Sequence, residues 1–194
     1  MTTDSAKVWS KHGWEAGWMG YPLGGEVPIS GSSPIDGEIH GWVQRFQGGR
    51  IYRTPIRGGY QIAVITGAIF DRWNSLGGTQ GPLGFPIADE IVTPDGVGRY
   101  STFQRGFIYW HPRYGAWEIT GTHLLEWIAN GKEQGKYGYP IGPPTSMGLL
   151  KGKQAFEHDE LLQYVEPIPF TGDSAGAIHW EYELSPGPLD DFDF

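Results

Sequence analysis

The chain has 194 residues, enough for one compact unit or a short array at ~100–150 residues per domain, and its 31 glycines and 15 prolines accompany an aromatic share of 14%. Disordered chains are poor in aromatics, so the turn residues here divide many short, strongly apolar elements. The formal charge is −8, but residues 173–194 carry six acidic and no basic side chains, which leaves −2 on the rest and gives no electrostatic footprint for nucleic acid or anionic lipid.

Met1-Thr2-Thr3-Asp4 has neither the cationic start nor the apolar stretch of a secretory signal. The longest aliphatic run, Ile62 to Ile65, falls far short of the ~20 residues of a spanning helix, which argues against membrane insertion. The absence of cysteine excludes disulfides and thiolate metal sites without choosing a compartment.

In chain order, the first pattern is Trp9, Gly13, Gly17 and Gly20-Tyr21-Pro22, followed by Phe46-Gln47-Gly48-Gly49-Arg50-Ile51-Tyr52-Arg53-Thr54-Pro55. The same order returns 64 residues later as Trp73, Gly77, Gly81 and Gly84-Phe85-Pro86. A further shift of 54 places residues 65–87 on 119–141, where ten of 23 positions are identical, including Ile65-Thr66-Gly67, Trp73, Gln80-Gly81 and Pro86-Ile87. Average composition gives one or two such identities, so the chain contains three copies of one unit. Ile69, Phe70, Trp73 and Leu76 recur at helical spacing between Thr66, a residue able to cap a helix start, and Gly77, which suits the left-handed residue at a helix end. Residues 81–86 are expected to run extended, Pro94-Asp95-Gly96 to turn, and Tyr100 to Trp110 to form a hairpin around Arg105-Gly106.

The expected fold is therefore α+β and β-rich: tandem pseudo-symmetric repeats, each a short helix, a Gly/Pro turn and a β-hairpin, packed around a shared core. The units are placed at about 5–60, 65–115 and 119–166 within a single domain of residues 1–170. In the third copy Phe156 keeps its place while Asp159, Leu161 and Leu162 replace the Gly-x-Ile-Tyr pattern. Residues 171–184 are a possible closing strand carrying Gly176-Ala177-Ile178-His179-Trp180, and 185–194 an acidic tail alternating acidic and bulky apolar residues, suited to docking a protein partner.

Gly81-Pro82-Leu83-Gly84-Phe85-Pro86, set between Trp73 and Phe103-x-x-Gly106-x-Ile108-Tyr109-Trp110, resembles the LGFP repeat family. The other copies read Met19-Gly20-Tyr21-Pro22 and Tyr137-Gly138-Tyr139-Pro140. The resemblance implies a cell-envelope module: such repeats occur in tandem on secreted actinobacterial enzymes, where they are thought to hold the enzyme on peptidoglycan and arabinogalactan. By this resemblance the chain is extracellular or envelope-associated; its start, without a signal peptide, leaves a cytoplasmic or particle-borne location as the alternative.

Gly172-Asp173-Ser174-Ala175-Gly176 matches the Gly-x-Ser-x-Gly of serine hydrolases, but a nucleophile elbow needs a strand before it and a helix after it, and Ile178 to Leu184 reads as a strand instead. A plain turn is the better reading. The six histidines lack ligand spacing, and the Gly78 to Gly84 run lacks the Lys-Ser/Thr of a phosphate loop, so no metal or cofactor is expected. Trp9, Trp73 and Trp127 share one column of the repeat helix and are expected in the core. Trp14, Trp18, Trp42, Trp110, Tyr114 and Trp117 fall in loops and hairpins, where some rings are expected to be exposed and to stack on sugars beside polar neighbours. The expected function is non-catalytic binding of cell-wall polysaccharide or peptidoglycan, with Arg105, Tyr109, Trp110, His111, Tyr52, Arg53, Trp42, Tyr114 and Trp117 as ligand candidates. Two alternatives stand beside it: a structural or assembly protein of a phage or particle, and a hydrolase using Ser174.

Overall fold

The structure, a computed structural model, describes residues 3–30, 39–56, 59–146 and 151–164. Ser174, the possible closing strand at 171–184 and the acidic tail lie outside the described residues.

Each unit opens with a nine-residue helix: α1 (Thr3–Lys11), α2 (Gly67–Ser75) and α3 (Gly121–Ala129). A single 3-10 turn comes next, at Trp14–Ala16, Gly78–Gln80 or Lys132–Gln134. The first sheet then runs β1 (Val27–Ser30), β2 (Ile39–Arg45), β3 (Arg50–Ile56) and β4 (Gly59–Ile65), and the second β5 (Ile91–Val92), β6 (Arg99–Phe103), β7 (Gly106–His111) and β8 (Gly115–Thr120). The third contains β9 (Thr145–Ser146), β10 (Lys151–Ala155) and β11 (Glu160–Tyr164). All pairings are antiparallel between neighbours. The expected hairpins are thus the centres of wider sheets, because β4 and β8 run directly from the hairpin into the next helix.

The tryptophan column organises the units. The Trp73 indole N–H donates to the Gly84 carbonyl at 2.9 Å, as Trp127 does to Gly138 (2.9 Å) and Trp9 to Gly20 (3.0 Å). This bond ties the helix to the Leu-Gly-Phe-Pro turn. The proline of that turn then bridges the sheet, pairing Pro22 with Phe46, Pro86 with Phe103 and Pro140 with Phe156. Gly84 and Gly138 hold φ of +70° and +72°, the left-handed region that favours glycine. Thr66 stands at the start of α2, but its hydroxyl makes no cap; it donates to the Gly48 carbonyl instead.

α2 and α3, each with its turn, lie between the sheet of their own unit and the preceding one. Trp73 meets Tyr52 of β3 edge-on at 5.0 Å and stacks on Phe103 of β6 at 6.0 Å. Trp127 repeats this with Tyr109 of β7 at 4.8 Å and Phe156 at 6.3 Å. Successive residues of a strand therefore enter different cores: Ile108 joins the cluster around Trp73, while Phe107 and Tyr109 join the one around Trp127. Gly41 and Gly98 mark the close approaches, since a Cβ on either would fall 2.4 Å from a ring atom of Phe85 or 2.6 Å from one of Tyr139. Around α1 the described residues supply only the sheet of unit 1. There Trp14 takes the edge-on place against Trp9, at 5.0 Å and 78°.

Candidate functional site

With both faces of the first two sheets committed to packing, what remains there for a ligand is the rim of the layers and their ends. The structure distributes the predicted residues accordingly. Tyr52 and Tyr109 are buried in the two junction cores. Burial pushes the Tyr109 hydroxyl far above its ordinary range, so it stays protonated. Arg105 is exposed but occupied: its guanidinium donates to the carbonyls of Pro82 (2.6 Å) and Gly81 (2.8 Å), clamping the turn from outside. Trp110 is half-buried against the first junction core.

The remaining candidates gather into aromatic and charged groups on the rim. Arg53 forms a two-pronged ion pair with Glu26, at 2.9 and 3.1 Å. Its guanidinium lies under the rings of Trp42 (4.0 Å) and Tyr60 (4.3 Å). The hydrogen bond from Arg53 to Glu26 raises the Arg53 pKa further, so the charge is permanent. Unit 2 inverts the same arrangement across its hairpin. Trp42 pairs with Arg53 in the first sheet, whereas Arg99 pairs with Trp110 in the second, and Arg99 bonds Glu90. A third such pair joins Arg72 of α2 to Glu118 of β8, at 2.7 and 2.9 Å, with the Arg72 guanidinium 4.8 Å from the Trp117 ring.

His111 and Tyr114 form a further patch at the second junction. Their rings stack at 4.6 Å, Arg113 lies 5.4 Å from the Tyr114 ring, and the Tyr114 hydroxyl donates to Glu157 of unit 3 at 3.0 Å. Trp117 is tied to it through an indole bond to the Tyr114 carbonyl, at 2.6 Å. Beneath, the Tyr139 hydroxyl lies 2.7 and 2.8 Å from the two Asp95 carboxylate oxygens, and Asp95 also accepts from Thr93 and the Val97 N–H. Burial works to raise the Asp95 pKa, but these bonds together outweigh it and hold the carboxyl below its usual range. Every partner is local to the turn and junction, so this network locks unit 3 onto unit 2.

Two features are not legible in the sequence. One is the set of Arg–Glu pairs, separated by up to 46 residues, which no local motif announces. The other is a cleft of about 230 Å3 between the first hairpin turn and the start of α2, lined by Phe46, Gln47, Gly49, Arg50, Thr66 and Phe70.

The LGFP repeat profile matches residues 19–81 and 83–135, more than half of the chain. The chain belongs to the LGFP repeat family. Each matched segment starts at or beside the Leu-Gly-Phe-Pro turn and ends just past the next helix, so the LGFP unit in this sense is turn, sheet and next helix. Each junction core takes one sheet and its helix from such a segment and is closed by the turn and sheet that follow. A search of curated proteins finds no match to the chain.

Proposed function

We propose that this LGFP-repeat chain is a non-catalytic cell-wall module that binds glycan along the rim of its layered units. One observation carries the reading: Arg53–Glu26, Arg72–Glu118 and Arg99–Glu90 each lie beside a half-buried tryptophan, Trp42, Trp117 and Trp110 respectively. The side chains of Arg53, Glu26 and Glu118 are themselves buried, so these pairs fix the rings in place, and a ring held in this way is suited to a sugar, whose C–H face stacks on it. Shallow sites of this kind on one body gain affinity by avidity, as a long polysaccharide presents the same group repeatedly.

Of the predicted residues, Trp42, Arg53, Trp110 and Trp117 take part in these groups, and His111 and Tyr114 form the separate patch at the second junction. Sedimentation with purified, insoluble cell walls tests the reading. The full chain is expected to pellet with walls in added salt, and Trp42→Ala with Trp117→Ala to remain in the supernatant while keeping the native circular dichroism spectrum. A wild-type protein that stays soluble beside walls, or a double variant that pellets undiminished, would overturn it.

A further inference from the structure

Unit 1 carries large aromatic rings at positions where its sister units do not. Trp14 corresponds to Gly78 and Lys132, and Trp18 to Pro82 and Lys136. The repeat therefore folds without a ring at either place, yet here both are tryptophan and both are about half exposed, at 46% and 48%. The backbone makes Trp14 an unfavourable choice as well. Its φ is +56°, in the left-handed region where a bulky side chain is strained, and Gly78 supplies that conformation in unit 2. Packing accounts for one edge of Trp14, which rests on Trp9, and for nothing on its open side.

Trp18 is held in place. Its indole N–H donates to His12 Nδ1 at 3.1 Å, and one ring edge rests on Gly49, where an added Cβ would come within 2.8 Å of Cζ3. The same hairpin turn holds Tyr21, whose N–H donates to Gln47 Oε1 at 2.9 Å. Tyr21 is 59% exposed, whereas its counterparts Phe85 and Tyr139, covered by a preceding sheet, are 4% and 3% exposed. Gln47 and Gly49 also form one wall of the 230 Å3 cleft, with Arg50 and Thr66 among its polar groups. The fixed Trp18 ring and the exposed Tyr21 ring thus stand on a turn that also lines a small concavity with polar groups.

We infer that this corner is a separate saccharide-binding site: Trp18, with Tyr21 and Trp14, is the stacking platform, and the adjoining cleft takes one sugar ring. The cleft is below the ~300–1,000 Å3 of pockets for larger ligands, which fits a single ring with the rest of the glycan lying over the platform. The Trp18 N–H is already bonded to His12, so the ring offers its face, and a fixed ring loses little entropy on stacking. Pyranosides, with flat C–H faces, match this better than a peptide, whose side chains need pockets to bury in.

The inference rests on the glycan reading but concerns different residues, so the two fail separately. The sister units supply the control substitutions, since Trp14→Lys and Trp18→Lys install the residues that unit 3 carries at these places. The probe is a β-1,4-linked N-acetylglucosamine tetramer, followed by tryptophan fluorescence and by chemical-shift changes of the indole N–H signals. Binding is expected to perturb the Trp18 signal and to fall at least tenfold in Trp18→Lys. Arg50→Ala, which strips the cleft of its cation, is expected to weaken binding severalfold with Trp18 intact. Unchanged binding in Trp18→Lys, or no perturbation of its signal at saturating tetramer and on solubilised wall glycan, would overturn the inference whether or not walls are still sedimented through Trp42 and Trp117. Concentration-dependent self-association of the wild type that Trp18→Lys abolishes, without tetramer binding, would assign the platform to a protein contact and overturn it equally.

Discussion

Replacing Trp73 with alanine tests the layered architecture at its centre. The ring is buried, stacked on Phe103 and edge-on to Tyr52, and its indole N–H satisfies the Gly84 carbonyl at 2.9 Å. Truncating a buried aromatic costs about 3–5 kcal/mol through lost transfer energy and the cavity left behind. The orphaned carbonyl adds roughly 1–3 kcal/mol if water does not reach it. In a protein of this size 1 kcal/mol moves the melting temperature by roughly 2–4 °C, so Trp73→Ala is expected to melt about 10 °C or more below wild type. Trp9→Ala makes the comparison diagnostic. Trp9 has the same bond to its glycine but only one sheet beside it, and it is only half-buried. Its loss is expected to cost about 2 kcal/mol. Parallel scanning calorimetry and urea titration of the two variants measure the difference. A fall of only a degree or two for Trp73→Ala, or equal costs at the two positions, would show that the preceding sheet contributes nothing and refute the sandwich.

The other expectations come from close contacts and buried charge. Gly98→Ala is expected to lose about 1–3 kcal/mol in urea titration, because its Cβ would lie 2.6 Å from Tyr139 Cε1 and 2.7 Å from the Trp110 carbonyl oxygen. Gly138→Ala is expected to lose about 1 kcal/mol or more from its φ of +72°; a neutral result would mean that the turn relaxes freely. His123 is buried, and that burial, partly opposed by backbone hydrogen bonds to Gly152 and Leu161, lowers its pKa. The unfolded chain therefore binds a proton first, so stability is full above the unfolded value of roughly 6.5 and falls as pH drops below it. His123→Ile, which installs the residue of unit 2, is expected to flatten that slope in melting curves between pH 7 and 5.

The repeat is legible in the sequence because its constraints are local and recur three times. Helix spacing around Trp73, the left-handed Gly77 and the turn glycines each appear where their geometry requires them. The sheets are harder to read. β5 is two residues long, and β4 and β8 run without a break into helices, so no turn signal separates them. The site residues are obscured for a related reason. Alternation along Tyr100 to Trp110 implies one buried and one exposed face, but a sheet packed on both sides buries both, and Tyr109 disappears into the second junction. Trp42 and Trp117 stay accessible because they stand at the rim. The Arg–Glu pairs beside them join residues 27 or 46 positions apart, beyond the reach of any local pattern.

The same geometry explains where binding can evolve in such an array. Inside it, each helix and turn must fit two sheets at once, and glycines such as Gly41 and Gly98 are held by the ring that lies on them. Substitution there costs stability before it can alter a ligand. Around the first unit the described residues supply one sheet instead of two, and Tyr21 lacks the packing that buries Phe85 and Tyr139. Trp14 can then cover the open side of Trp9 and still present a face to solvent. The first unit carries Trp14 where the second holds the buried Gly78, whose added Cβ would sit at ordinary contact distance, 3.7–3.8 Å, from atoms of the Trp73 ring. On the proposed reading, the first unit can vary its exposed rings while the rim groups, anchored by Arg–Glu pairs, stay tied to the fold.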